Sequence, residues 1–342
     1  MKNSKNKSLK NTLKNIFTVV FLFGLMVACN TKTDINKEHI ALKQKAASIN
    51  SDFKKIRLEV EMLSSELTTL YEKQAQILPS INTKKYQFAS NGVFTKPIDD
   101  GGSAIFVSGY YPINETVKNI VYFTEPIDPI FKSLVAKYPE IVQVYFNDKY
   151  AINRIYPFFD VLSQYEAKMD IPSFNFYYLA DLKHNPKKQS LWVSEPYVDP
   201  AGRGWMVSAI APVYYNNVLA GVPGIDVTIN TITKRYVQDS INSMNLIIDN
   251  SGTIVSAQEE IINLLSFPPL FEHKYIETIK QDTYRKEQYS LALSKEANVR
   301  NMASEILNNK KEVVEAEING EKMTIIAAHI PELNWFLLKI IK

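Results

Sequence analysis

The side chains able to do acid–base, nucleophilic or metal chemistry are dispersed along the chain. His39, His184, His273 and His329 stand far apart, and none has the H-E-x-x-H spacing that sets two imidazoles on one helix face. No G-x-S-x-G elbow and no glycine-rich phosphate loop occurs. Cys29 is the only cysteine, so neither an intrachain disulfide nor a cysteine metal cluster can form. A metal site would need scattered acids, which are ordinarily solvated. The expectation is no catalytic set, no cofactor and no metal. Acids and aromatics do gather between residues 174 and 226, in Phe174-Asn175-Phe176-Tyr177-Tyr178, Trp192, Tyr197, Asp199 and Asp226. By residue type alone, Trp192 and Tyr197 suit a core, Asp199-Pro200-Ala201-Gly202 suits a turn, Asp226 suits either a ligand or a backbone cap, and the run Phe174 to Tyr178 reads as a strand whose alternate residues face opposite sides, so that at most half of it lines one pocket.

The frame for these residues is a chain of 342 amino acids, room for about two domains. With 46% hydrophobic and 22% charged residues it can bury a core, which excludes disordered and collagenous readings. The net charge of +3 is carried by Lys2, Lys5, Lys7, Lys10 and Lys14; without them 34 basic residues face 36 acidic ones. A nucleic-acid partner is excluded, because phosphate binding needs a concentrated basic face.

Those lysines precede an apolar run from Ile16 to Val27, too short to span a bilayer comfortably and read as a secretory signal. Leu25-Met26-Val27-Ala28-Cys29 resembles the lipobox of bacterial lipoproteins, with Met26 where leucine is more usual. That resemblance implies a signal peptide over 1–28, a lipidated tether over 29–34, and membrane attachment through the lipid on Cys29. It places the protein in the cell envelope. Asn30, rather than aspartate, after the cysteine implies the periplasmic face of the outer membrane in a diderm host.

Residues 33–78 contain no glycine or proline, and Leu42, Ala46, Ile49, Phe53, Ile56, Val60, Leu63, Leu67 and Leu70 recur at alternating steps of four and three. This heptad stripe predicts one long amphipathic helix over 35–80. Its apolar face would pair with a second copy or, the preferred reading, cover the rest of this chain. From Tyr86 the pattern turns to short strands: Ala104 to Ser108, Val142 to Phe146, Leu191 to Val193, Met206 to Val213 and Val218 to Ile229, with Asn216-Asn217 as a hairpin tip. A second unit starts at Leu246, ends with Met323 to His329 and Trp335 to Ile341, and holds polar helical stretches at Tyr275 to Lys295 and Asn298 to Asn309. The fold class is α+β, a long N-terminal helix followed by modules at 81–242 and 243–342, each an antiparallel sheet flanked by helices.

Three stretches, Phe176-Tyr177-Tyr178-Leu179-Ala180, Trp192-Val193-Ser194-Glu195-Pro196-Tyr197-Val198-Asp199 and Gly221-Val222-Pro223-Gly224-Ile225-Asp226-Val227, with Ile318-Asn319-Gly320 and Asn334-Trp335-Phe336-Leu337 near the C-terminus, resemble the double Cache sensor domains of bacterial chemoreceptors and histidine kinases. The resemblance covers roughly residues 35–342 and implies two PAS-like modules, of which the membrane-distal one, 81–242, binds ligand. It implies that Asp199 and Asp226 would offset an ammonium charge while Phe176, Tyr177, Trp192 and Tyr197 offer aromatic faces to it, each contact worth roughly 0.5–2 kcal/mol. At the place of Phe176-Tyr177 the family carries a Trp-Tyr pair, and amino-acid-binding members have, two residues before that tryptophan, an arginine that forks onto the ligand carboxylate. Phe174 holds that place here, and a phenyl ring has no donors to give. The ligand is therefore expected to be an amine or another small cation, unless Arg154 supplies the missing charge from another strand.

Double Cache domains usually lie between two membrane helices, whereas the sequence stops at Lys342 with neither a second span nor an output domain. The expectation is a sensor that reports to a separate transmembrane receptor, kinase or transporter. The alternative is a ligand-free protein-interaction lipoprotein of the cell envelope, which a pocket filled by Phe174 or Phe176 would favour.

Overall fold

The computed structural model describes residues 3–238, 244–268 and 286–342, and of these the side chains from Asp34 on except that of Lys286. The Cys29 side chain, His273 and the expected helical residues 275–285 lie outside that description. The long helix runs over Asn3–Glu72, passing through the expected tether because Gly24 is its one glycine and it holds no proline to remove a backbone donor. Among the described residues no helix is long and apolar enough to cross a membrane. From Leu42 to Leu67 every apolar residue of the stripe is buried, with exposures of 3% or less, against the sheets of this same chain. The intramolecular reading of the heptads is the observed one.

The first sheet contains β1 (Gln87–Phe88), β2 (Phe94–Thr95), β3 (Ala104–Val107), β4 (Ile141–Asp148), β5 (Ile152–Tyr156), β6 (Leu191–Val198), β7 (Trp205–Ile210), β8 (Val213–Tyr215) and β9 (Val218–Thr228). Its antiparallel order is β1-β2-β3-β5-β4-β9-β7-β6, with β8 on β9. The second comprises β10 (Asn245–Ile248), β11 (Ile254–Ala257), β12 (Val313–Ile318), β13 (Glu321–Ile330) and β14 (Trp335–Ile341), in the order β11-β10-β14-β13-β12. Asn216 and Asn217, both at positive φ (50° and 62°), turn β8 into β9 as the sequence predicts. Asn319 and Gly320 (51° and 78°) do the same between β12 and β13, the two-residue geometry that matches strand twist.

Alternation sorts each strand into two cores. In the first sheet Ile105, Val107, Val144, Phe146, Val207, Ile225 and Val227 face the long helix and the helices Glu115–Phe123 and Asp128–Lys137. Ala104, Phe106, Tyr145, Ile155, Val193, Ile210 and Val222 face the opposite side, under the short helices Val161–Gln164 and Asn175–Tyr178. In the second sheet Ile247, Ile326, Ala328 and Leu337 join the helix-side core, while Leu246, Ile248, Ile325 and Leu338 pack with the helix Ala297–Leu307. One helix thus closes a core shared by both sheets. Phe53 lies at its centre, with ring centroids 5.1 Å from Trp192, 6.2 Å from Tyr236 and 6.3 Å from Trp335.

A polar clamp continues that contact. Arg57 pairs with Glu332 and with Glu61, and its Nη1 donates to Ser190 Oγ at 2.8 Å. Trp335 Nε1 donates to the Ser194 carbonyl at 3.2 Å. Arg57 thus ties the long helix both to the turn beside β14 and to the residue before β6, and Trp335 ties β14 to β6 directly.

Three expectations are corrected. The run Phe174 to Tyr178 is not a strand: Asn175–Tyr178 is a helical turn, in which the amides of Tyr177 and Tyr178 both donate to Phe174 O at 3.0 Å. Packing of Phe176 and Tyr177 into the core overrides the strand preference of an aromatic run. The described part of the expected helix over 275–295 is two short turns, Lys286–Tyr289 and Leu291–Leu293, pinned against the β10–β11 turn by the Leu291 amide on Gly252 O (2.8 Å). The expected strand Met206 to Val213 divides into β7 and β8 at Pro212, which lacks the amide that a ladder needs.

Candidate ligand-binding site

The first sheet brings Gln143, Asp226 and Ser208 side by side. Asp226 on β9 lies opposite Gln143 on β4 and opposite Ser208 on β7, and the register slip in β4 between Ile141 and Gln143 sets that alignment. These residues face away from the long helix, since Ile225 and Val227 on either side of Asp226 point toward it. Ser208 Oγ donates to Asp226 Oδ1 at 2.5 Å, Gln143 Nε2 donates to Oδ2 at 2.6 Å, and the Tyr197 hydroxyl lies 2.5 Å from Ser208 Oγ.

Asp199 reaches the same place from the loop after β6. It does close a turn: its oxygens accept from the amides of Ala201 (2.9 Å) and Arg203 (3.1 Å), with Gly202 and Gly204 at φ 79° and 97°, a region open chiefly to glycine. It also lines a cavity together with Gln143, Tyr145, Asn153, Phe176, Tyr197 and Asp226, so closing the turn does not take it out of the candidate site. The cavity is about 20 Å³, enough for one or two water molecules.

Burial, and then the neighbouring Asp199 charge, push the Asp226 carboxyl up to about 8, with Ser208 and Gln143 pulling the other way. Burial also raises Asp199, opposed by the amides of Ala201 and Arg203 and by Gln143. The Tyr145 and Tyr197 hydroxyls are held well above their ordinary value by burial and by Asp226. With no cation beside it, Asp226 therefore keeps its proton at neutral pH. Arg203 is a weak opposing charge, its guanidinium 3.4 Å from Val142 O and 3.5 Å from Pro157 O.

Of the residues singled out by sequence, Phe176, Tyr197, Asp199 and Asp226 are brought together and four are not. Phe174 stands behind the wall, stacked on Phe176 at 5.1 Å and 8°. Tyr177 is buried in the same core, where its strongest charged neighbour is Asp148. Trp192 is on the helix side of β6 against Phe53, because it is one residue out of phase with the cavity-side Val193. Arg154 is likewise on the helix side of β5, between cavity-side neighbours Asn153 and Ile155. Its guanidinium is spent on Asp128 (2.8 Å) and the Val121 carbonyl (2.6 Å). Arg154 does not replace the missing arginine.

Gln143, Tyr145, Ser208 and Asn153 escaped sequence reasoning. Their signal was present as polar residues inside otherwise apolar strands, Gln143 within Ile141–Val144 and Ser208 within Met206–Ile210. Phe176 fills much of the space between them, its ring 5.6 Å from Tyr197 and 5.9 Å from Tyr145. Tyr145 in turn lies over Gly224, where an added Cβ would stand 2.1 Å from Tyr145 Cζ. Gly224→Ala should drive the ring into the cavity, at a cost of about 1–3 kcal/mol in a urea titration. An unchanged urea midpoint would disprove that close approach.

No family model matches the sequence. Among solved structures the chain is similar to the ligand-binding domain of the Pseudomonas fluorescens chemoreceptor CtaA in complex with L-alanine. Identity is 12%, the match covers 90% of this chain and 96% of that one, and the TM-score is 0.51. It is also similar to the extracellular domain assigned to the histidine kinase mmHK1S-Z3, at 12% identity, 90% and 93% coverage and a TM-score of 0.50. The fold is the double Cache fold. In double Cache terms the cavity lies in the first module, under a roof made by the loops from Tyr165 to Phe176, and the second module carries β10 to β14.

Proposed function

We propose that the protein is an extracytoplasmic sensor, held to a membrane by the lipid on Cys29, whose distal Cache module takes a small amine or similar cation. It reports occupancy to a separate transmembrane receptor, kinase or transporter. The observation that carries the ligand class is the meeting of two buried carboxyls, Asp199 and Asp226, with Phe176 and Tyr197 around one cavity. A cation that enters displaces the Asp226 proton and restores a carboxylate, while the rings offer their negative faces. Phe174, in the place of an arginine fork, leaves a ligand carboxylate without a bidentate partner.

A thermal-shift screen of the full chain in detergent, against amines, amino acids, purines and short carboxylates, tests this reading. A primary amine at 100-fold excess over its Kd should raise the melting temperature by on the order of 5 °C. That rise should vanish in Asp226→Ala and in Asp199→Ala. Rises with amino acids alone would move the ligand class. The second reading, a ligand-free interaction module, is favoured by the bulk of Phe176 in the cavity, and silence across all four classes would establish it over the first.

A further inference from the structure

We infer that Gln143 is the selectivity residue of this cavity: its Oε1 is a third acceptor beside Asp199 and Asp226, so the site takes a cation head bearing N–H donors, ammonium or a primary amine, and rejects methylated quaternary heads. This rests on the cation reading above and goes beyond it, from any small cation to the number of donors its head must present.

The amide orientation of Gln143 is fixed by its partner. Gln143 Nε2 donates to Asp226 Oδ2 at 2.6 Å and lies 3.8 Å from Met206 Sδ, the orientation that a cation-bound, ionised Asp226 requires because a carboxylate only accepts, and the remaining amide atom is the carbonyl oxygen. Gln143 is 2% exposed and lines the cavity, and that Oε1 has no hydrogen-bond partner. A buried acceptor left unpaired is costly, and native interiors rarely keep one. A bound donor removes the cost, whereas a head without N–H groups leaves it in place.

The shape of the charge points the same way. An alkylammonium has three N–H donors in a tripod, and Asp226 Oδ, Asp199 Oδ and Gln143 Oε1 are three acceptors on the walls of one cavity. Tetramethylammonium has the same charge and no donor, so it would satisfy the aromatic faces alone. Size adds a second, independent filter. A space of about 20 Å³ receives an ammonium head the size of a water molecule, while three further methyl groups would have to displace Phe176 or Tyr145.

The test is isothermal titration of the full chain in detergent with ammonium, methylammonium, trimethylammonium and tetramethylammonium chlorides, on the native protein and on Gln143→Met and Gln143→Glu. The native protein should bind methylammonium at least tenfold more tightly than tetramethylammonium, with trimethylammonium between. Gln143→Met, close in shape and lacking the acceptor, should lose most of that ratio by weakening methylammonium alone, and Gln143→Glu should keep the ratio. Equal native affinities for methylammonium and tetramethylammonium would overturn the inference while leaving the cation reading intact. So would a ratio unchanged in Gln143→Met. Absence of binding by every ammonium would overturn both. The native comparison needs no variant, so a Gln143→Met protein that fails to fold leaves the inference open to refutation.

Discussion

Raising the pH from 6 to 9 should destabilise the unliganded protein by about 3 kcal/mol, through Asp226. The sign follows from the direction of its shift. The folded carboxyl titrates at about 8 against 3.8 for a free one, so between those values the folded state holds a proton that the unfolded state has released. Stability conferred by that proton is complete below pH 4 and is lost as the pH rises through 8. Asp148, pushed up to about 6 by burial and held by the Tyr71 hydroxyl at 2.7 Å, acts in the same direction, chiefly below pH 6. The raised tyrosines Tyr145 and Tyr197 ionise well above the window. Urea titrations at both pH values measure the loss, and Asp226→Asn, which carries no titrating proton, should remove most of it. Parallel losses in the native protein and in Asp226→Asn would show that Asp226 is not the group. A bound ammonium must expel the same proton, so amine affinity should climb with pH between 6 and 8, by at most about tenfold per unit.

Phe53→Ala should cost about 3–5 kcal/mol, the range for an aromatic ring removed from a packed interior. Phe53 is 1% exposed and touches aromatic rings from β6, the segment joining the modules, and β14. Because its loss opens a void between all three, both modules should melt earlier and together, rather than one alone. Trp192 and Trp205 lie in the first module and Trp335 in the second, so fluorescence and far-ultraviolet dichroism should keep coincident transitions at a lower midpoint. A split in which only one module moves would contradict a shared core.

The long helix, the hairpin at Asn216-Asn217 and the α+β class were legible in the sequence because each rests on local signals: a period, or a pair of residues tolerant of positive φ. Asp199, Asp226, Tyr197 and Phe176 were legible through resemblance. What the sequence did not disclose was phase. Trp192 and Arg154 belong to strands that line the cavity, yet each is one residue out of step and points to the helix. Phase depends on register between β4, β9 and β7, which is a long-range property. Gln143 was passed over for the same reason, since only its pairing with Asp226 gives it a role. The short helix at Asn175–Tyr178 was hidden because four aromatics within five residues speak for a strand until a core is there to receive two of them.

The placement of β6 at the sheet edge has a mechanical consequence. Its one neighbour in the ladder is β7, and the register of that pairing shifts between Val193 and Tyr197. One end of the strand leads through Tyr197 into Asp199. The other is held by Phe53 on Trp192, by Arg57 on Ser190 and by Trp335 on Ser194. The strand has the geometry of a lever: a displacement of Tyr197 by an incoming head group would be absorbed at the register shift before it or delivered to Trp335. The arm that could carry news from the cavity to the second module is one strand long, and its fulcrum is an aromatic contact with the helix.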